Sequence, residues 1–179
     1  MKRLLHIAIA AFMLLLPLSL DAKRPYGERV GFNVNEVALG GGFFYDGYHY
    51  KSVKLASYMF GRHLDDRWFI GASAVCTLSP IYAGYMYYGE RIYDDSFGFR
   101  VLLNGRYNIL KKKVSPYVGL DIGGGYIPGY SDFISPYAGA QFGVRWIINT
   151  HKVLGFHVEP GITIKGYSEI LFKLTFEFI

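Results

Sequence analysis

The chain has 179 residues, of which 51% are hydrophobic, 18% aromatic and 18% charged, with 22 glycines and 16 tyrosines. It is too apolar and aromatic for a disordered segment, and its single cysteine, Cys76, excludes an intrachain disulfide scaffold. The formal charge of +5 is modest and spread along the chain, so nothing indicates a nucleic-acid partner.

The N-terminal segment has the pattern of a secretory signal peptide. Met1-Lys2-Arg3 is basic, residues 4–16 form an apolar run, and Ala22 offers a small residue before a cleavage point. The apolar run is shorter than the roughly 20 residues that a membrane-spanning helix needs. We therefore predict a signal peptide at residues 1–22 and one mature domain at residues 23–179.

After Ala22 the main signal is alternation of apolar and polar residues with a period of two, which predicts β-strands. It is clearest within residues 97–106, 138–148 and 170–178, where apolar side chains share one face and polar side chains the other. In chain order, the eight predicted strands are 29–45, 48–61, 67–78, 97–110, 115–127, 135–148, 152–165 and 168–179.

In the first two predicted strands, simple alternation does not define which residues face outward. In the first strand the apolar positions change phase, so we predict a bulge near Asn35. The second strand fits two phases, in which the outward residues are either Val53, Leu55 and Met59 or Ala56, Tyr58 and Phe60.

The connections differ between the two ends of the predicted strands. Short polar turns at residues 62–66, 111–113 and 149–151 fall at one end, and a loop of about 18 residues, Ser79–Ser96, falls at the other. This asymmetry is typical of an outer-membrane barrel. The loop is a candidate surface-contact segment for a protein or a glycan, because it is rich in tyrosine: Tyr82, Tyr85, Tyr87, Tyr88 and Tyr93. The same rings could instead extend an aromatic girdle.

The facing of the two strand surfaces separates a membrane barrel from a soluble one. Membrane barrels point apolar residues outward, whereas a lipocalin-like carrier points them inward. The polar face carries few charges, of mixed sign, among Gly, Asn and Gln, which favours a paired interior over a solvated surface. The predicted interior polar network comprises Arg100, Arg106, Asp121, Arg145, His157, Glu159, Lys173 and Glu177.

Aromatic residues concentrate near the predicted strand ends, as in the girdles of membrane barrels. They are Phe43, Phe44, Tyr45, Tyr48, Tyr50, Trp68, Tyr107, Tyr117, Tyr126, Tyr137 and Trp146. A short repeat, Ser-Pro-Tyr followed by x-Gly, opens the strands at Ser115 and Ser135, and it places glycines on the inward face. Cys76 shares a face with Trp68 and Ile70, and we expect it to face lipid.

The signal peptide, the Pro-Tyr-x-Gly strand starts and the final strand ending at Phe178 make the chain resemble the small eight-stranded outer-membrane barrels of diderm bacteria. These are the OmpA/OmpX-like and "outer membrane β-barrel domain" families, and the resemblance covers residues 28–179. It departs from the pattern at Ile179, which follows the phenylalanine that members usually place last. The resemblance implies an all-β, antiparallel, up-and-down transmembrane barrel among outer-membrane lipids, with its last strand recognised by the barrel-assembly machinery.

The resemblance favours a structural or adhesive protein over an enzyme. His157 and Glu159 share a face and could serve a lipid A deacylase-like hydrolase, with His157 as the base. However, Gly155-Phe-His-Val-Glu159 lacks the Ser and Asn that follow the His in that family, so an interior pair is the preferred interpretation. We predict no catalytic residue, cofactor or metal site, and we expect a non-enzymatic barrel. The alternatives are the hydrolase and a soluble periplasmic lipocalin-like carrier.

Overall fold

The chain folds as a closed barrel of eight antiparallel strands in sequence order, as shown by a computed structural model. The structure describes residues 30–45, 50–87, 90–126, 134–163 and 167–179, and for residues 79–95 it describes the backbone alone. The strands are β1 Asn33–Tyr45, β2 Tyr50–His63, β3 Trp68–Tyr87, β4 Glu90–Asn108, β5 Val114–Tyr126, β6 Ser135–Asn149, β7 Lys152–Thr163 and β8 Ser168–Phe178. Pairing of β1 with β8 closes the sheet, which confirms the predicted fold class.

The barrel has two rims, which we name by their connections. At the turn rim β1 begins, β8 ends, and the short connections 64–67, 109–113 and 150–151 lie between strands. At the opposite hairpin rim, β3 and β4 continue beyond their neighbours. Pairing of β2 with β3 reaches only Leu78, whereas β3 stays paired with β4 as far as Tyr87 and Glu90.

The predicted long loop Ser79–Ser96 is therefore wrong. Its backbone forms the outer part of a hairpin, with Tyr82 paired to Tyr93 and a register shift between Tyr82 and Met86. Pro, Gly and Asp in this stretch indicate a loop, but its Tyr and Ile residues favour strands, and pairing between the two arms outweighs the breakers. Of the five tyrosines assigned to the surface-contact loop, four lie on strand backbone, and Tyr88 lies outside the described residues.

The predicted bulge near Asn35 is also wrong. β1 pairs with β2 from Asn33 to Tyr45 without a register shift. The change of phase arises because Val34 is an apolar residue that faces inward, where it packs with Met59 and Phe69. The preceding turn contains Gly31, whose φ of 83° suits a residue without a Cβ atom.

The outer surface of the barrel is apolar. Val101, Leu103 and Leu174 are 59%, 68% and 56% exposed, and they share strands with buried Arg100 and Lys173. This inversion contradicts the lipocalin-like carrier, which requires the opposite facing. β2 follows the second of its two phases, since Tyr58 and Phe60 are exposed. Cys76 is exposed on the same wall.

The aromatic residues divide between the wall and the interior. Trp68 and Tyr107 have ring centroids 4.9 Å apart near the turn rim, and Tyr45 and Tyr50 have theirs 4.8 Å apart at the hairpin rim. The girdle prediction is wrong for three residues that are buried inside the barrel: Phe44, Tyr117 and Tyr137. Tyr48 lies outside the described residues.

Candidate functional site

The inward-facing positions hold most of the charged residues described on the strands. The eight residues of the predicted interior network are each at most 4% exposed, and they are Arg100, Arg106, Asp121, Arg145, His157, Glu159, Lys173 and Glu177. They come from β4, β5, β6, β7 and β8, so strand alternation alone directs them to one space. Ionised groups that are buried this deeply require partners, and the structure places partners beside them.

The middle of the interior is occupied by a chain of hydrogen bonds centred on Arg106. Its two terminal nitrogens donate to the carboxylate of Glu36 at 2.5 and 2.7 Å, and its Nε donates to Gln141 at 2.9 Å. Gln141 and Asn104 each donate to Asp121 at 2.5 Å. Planar, two-point pairing of a guanidinium with a carboxylate is among the strongest arrangements available to side chains.

A second group lies toward the turn rim. Arg145 forms an ion pair with Glu177 and lies 3.8 Å from Glu36, and Nε2 of His63 lies 3.5 Å from Glu177. The guanidinium carbons of Arg106 and Arg145 lie 5.4 and 6.0 Å from the ring centroid of Phe69. An aromatic ring at such distances stabilises a desolvated cation.

A third group is centred on Glu159. Its carboxylate accepts hydrogen bonds from Lys173 and, at 2.7 Å, from the hydroxyl of Tyr137, and it lies 3.6 Å from Nε2 of His157. Nδ1 of His157 is hydrogen-bonded to the Tyr117 hydroxyl at 2.7 Å. His157 and Glu159 thus form an interior pair beside a lysine. The described contacts of His157 include no serine that could act as a nucleophile.

An apolar layer and one further ion pair lie toward the hairpin rim. Arg100 pairs with Glu169 through both carboxylate oxygens, at 2.7 Å for one of them, and its guanidinium carbon lies 4.5 Å from the ring centroid of Tyr137. The layer consists of Phe44, Val53, Leu55, Val75, Leu102, Tyr137 and Leu171.

The buried charges almost balance. Among the described residues, four buried cations (Arg100, Arg106, Arg145 and Lys173) face five buried anions (Glu36, Asp121, Glu159, Glu169 and Glu177), a difference of one negative charge with all groups ionised. His63 and His157 lie among them. Within the described residues, no group of three or more His, Cys, Asp or Glu side chains could hold a metal ion.

The Ser-Pro-Tyr repeat acquires a structural role. Tyr117 and Tyr137 both turn inward, and each reaches a partner on β7, namely His157 or Glu159. Glycines on the adjacent strands leave space for the two tyrosine rings. A Cβ atom at Gly143 would lie 2.6 Å from the Tyr117 ring, and one at Gly161 would overlap the Tyr137 hydroxyl. The repeat therefore pairs an inward tyrosine with glycines on the adjacent strand.

Sequence reasoning missed several interior residues, chiefly Glu36, Glu169, Tyr117 and Tyr137. Glu169 has the same parity as Lys173 and Glu177 on β8, so the alternation already contained that signal. Glu36 was hidden by the apolar Val34 and Ala38 on its own face. The two tyrosines were assigned to the girdle because they lie near strand ends.

The described part of the chain contains no helix long and apolar enough to cross a membrane. Searches against family models and curated proteins gave no match. Among solved structures, the chain is similar to Neisserial surface protein A, with 13% identity, 83% of this chain and 96% of that chain covered, and a TM-score of 0.63. It is also similar to the outer membrane protein OprG of Pseudomonas aeruginosa, with 10% identity, coverages of 86% and 97%, and a TM-score of 0.58. The chain thus has the fold of the small outer-membrane β-barrels.

Proposed function

We propose that this protein is a non-enzymatic, integral outer-membrane barrel of a diderm bacterium, with an interior filled by ion pairs and a surface-contact role for its projecting hairpin. The observation that carries the proposal is the inverted wall, with exposed leucines outside and paired charges inside. Such a wall is stable only where hydrocarbon surrounds it. Closure of the sheet supports this, because an open edge in lipid would leave backbone groups unpaired.

The interior contents support a barrel that does not conduct. Eight strands leave an interior just wide enough for side chains to fill. Here two arginines share that space with the rings of Phe69 and Tyr117, and the apolar layer lies between them and the hairpin rim. Pairing within a filled interior also accounts for His157 and Glu159 without catalysis, since 1% or less of either side chain is exposed.

The orientation follows from the rims. In outer-membrane barrels the short turns face the periplasm and the longer connections face outward. The turn rim would then be periplasmic, and the β3–β4 hairpin would rise above the outer surface. Export would depend on the signal peptide at residues 1–22, and insertion on the barrel-assembly machinery. The hairpin carries the tyrosine-rich stretch, and its partner would be an extracellular protein or glycan.

Two measurements test the membrane assignment. The folded chain should remain with membranes through carbonate washing, and it should migrate differently in gels before and after heating. Recovery in the soluble periplasmic fraction would contradict the assignment.

The filled interior is tested by conductance. In planar bilayers the purified barrel should give no sustained stepwise conductance. Steady conductance of the wild-type protein would contradict the filled interior.

The contact role is tested by shortening the hairpin. Ile81 and Asp94 are paired across β3 and β4, so an Asn-Gly turn can replace residues 82–93 and rejoin the arms. We expect the shortened chain to keep its heat-dependent mobility shift and to lose adherence to cells or glycan surfaces. Adherence equal to that of the full chain would show that the hairpin makes no such contact.

A further inference from the structure

The charges on the outer wall have an uneven distribution. Among the described side chains at outward-facing strand positions, the charged ones are Lys54, Arg62 and Lys152. Arg62 and Lys152 lie at strand ends beside the turn rim, whereas Lys54 is the one in the hairpin-rim half of the wall. It is exposed, and no ion pair is described for it. An ammonium group beside hydrocarbon is costly unless it reaches the interface or an anion.

The depth of Lys54 matches the upper edge of the apolar band. Arg62 lies beside the turn rim and serves as the reference for the lower edge of the band. Lys54 lies eight residues from Arg62 along β2, which corresponds to about 20 Å across the membrane for a strand tilted by roughly 40°. The apolar band of such barrels is about 25 Å tall. A lysine side chain that starts near this edge can extend its ammonium group to the level of lipid headgroups.

An apolar groove adjoins Lys54 on the same wall. It has a volume of about 310 Å³, and its outward-facing lining residues are Lys54, Ala56, Cys76, Leu78 and Phe97. Ala56 and Cys76 are paired neighbours on β2 and β3, and their small side chains leave a depression beside the larger Leu78 and Phe97. Leu78 and Phe97 are themselves paired at the point where the hairpin leaves the barrel. The groove thus combines a slot for a hydrocarbon chain with a cation at headgroup depth.

We propose that Lys54 and this groove bind one phosphate-bearing lipid of the surrounding leaflet, with its acyl chain along Ala56 and Cys76 and its phosphate at the lysine ammonium group. The inference rests on the proposed insertion of the barrel in a membrane. A basic residue near an anionic lipid surface contributes enough attraction to change occupancy about fivefold. A zwitterionic lipid of the same chain length lacks the net charge, so its occupancy of the groove is raised less by the lysine.

A larger groove elsewhere on the barrel provides a contrast. It has a volume of about 590 Å³ and is lined mainly by apolar residues of β5 to β8, β1 and the start of β2, including Leu120, Ala138 and Ile162. Its described lining residues include no lysine or arginine, and the two acidic ones, Asp121 and Glu169, are buried in the barrel interior. Acyl chains can occupy this groove, but nothing in it selects a phosphate. Charge complementarity therefore favours the smaller groove.

The test uses Cys76, which is the single cysteine of the chain and lies in the groove. The rate of its alkylation by a lipid-soluble maleimide is measured on the full mature chain in neutral detergent. Phosphatidic acid, phosphatidylcholine of the same acyl composition, or inorganic phosphate is then added. We expect phosphatidic acid to slow alkylation about fivefold more than phosphatidylcholine does, and inorganic phosphate to have no effect.

Variants test whether Lys54, and not another residue of the wall, is responsible for the difference between the two lipids. Lys54→Gln should abolish the difference between the two lipids, and Lys54→Arg should retain it. Arg62→Gln, on the same face of β2 at the other rim, should behave as wild type. Equal protection by both lipids, protection by inorganic phosphate alone, or an unchanged Lys54→Gln would overturn the proposal. Each variant is first shown to have the heat-dependent mobility shift, so failure of the barrel itself is recognised separately.

Discussion

At the scale of single residues, the interior of this barrel contains buried ion pairs, and loss of either member of a pair leaves the other as an unpaired buried charge. Glu36 and Arg106 illustrate this, because both are buried and the Arg106 guanidinium donates two hydrogen bonds to the Glu36 carboxylate. Removing one partner of a buried pair costs more than the pair itself contributes, since the remaining charge stays desolvated.

We expect Glu36→Gln to lower the free energy of unfolding by about 3 kcal/mol, because it leaves the Arg106 guanidinium without a carboxylate. The double variant Glu36→Gln/Arg106→Gln should lose clearly less than the sum of the two single losses. Urea unfolding in lipid vesicles, followed by the mobility shift, measures both. Strictly additive losses would show that the two side chains do not act as a pair.

Glycines that accommodate the inward tyrosines give a second prediction at this scale. Gly161→Ala should displace the Tyr137 ring and break its hydrogen bond to Glu159, at a cost of about 1–3 kcal/mol for the buried groups. Gly105→Ala is the matched control, since a Cβ atom there would meet no other atom within 4 Å. Equal stability of the two variants, measured by the same unfolding assay, would contradict this role for Gly161.

At the scale of the strand, predictability depended on how cleanly one face separates from the other. β6 and β8 alternate almost without exception, so their inward residues Arg145, Lys173 and Glu177 were predicted from sequence. β1 carries the apolar Val34 and Ala38 on its inward face, and this produced a false bulge and hid Glu36. The outer arms of β3 and β4 were missed because their Pro, Gly and Asp residues resemble a loop until the two arms are paired.

The β2–β3 turn gives a prediction that depends on pH. Asp65 accepts hydrogen bonds from the backbone N–H groups of Trp68 and Arg67, and these lower the pKa of its carboxyl group below the ordinary value of 3.8. A lowered pKa in the folded state means that the carboxylate stabilises the turn above pH 3.8 and that this contribution is lost as the pH falls. The stability difference between wild type and Asp65→Asn should therefore shrink on acidification through pH 4. A constant difference between pH 7 and pH 3 would contradict this role for the carboxylate.

At the scale of the whole molecule, the barrel has charged side chains inside and apolar side chains outside, which is the reverse of a soluble protein. Among the residues that the structure describes, four buried cations and five buried anions occupy the space where a soluble protein has its apolar core. The apolar layer toward the hairpin rim is the exception, and the sequence did not reveal it, because its members come from six strands that only the closed barrel brings together. The inversion itself was predictable from sequence. A strand face that carries few charges of mixed sign is better suited to a paired interior than to a surface exposed to water.

The most direct test of this inversion compares two neighbouring positions on β8. Leu174 is 56% exposed and Thr175 is 2% exposed. A spin label is introduced at each by Leu174→Cys or Thr175→Cys, in a chain with Cys76→Ala, and the protein is inserted in lipid vesicles. We expect the label at position 174 to collide freely with oxygen and hardly with a water-soluble nickel complex, and the label at position 175 to be shielded from both. Strong collision of the position-174 label with the nickel complex would place this wall in water and contradict the central claim.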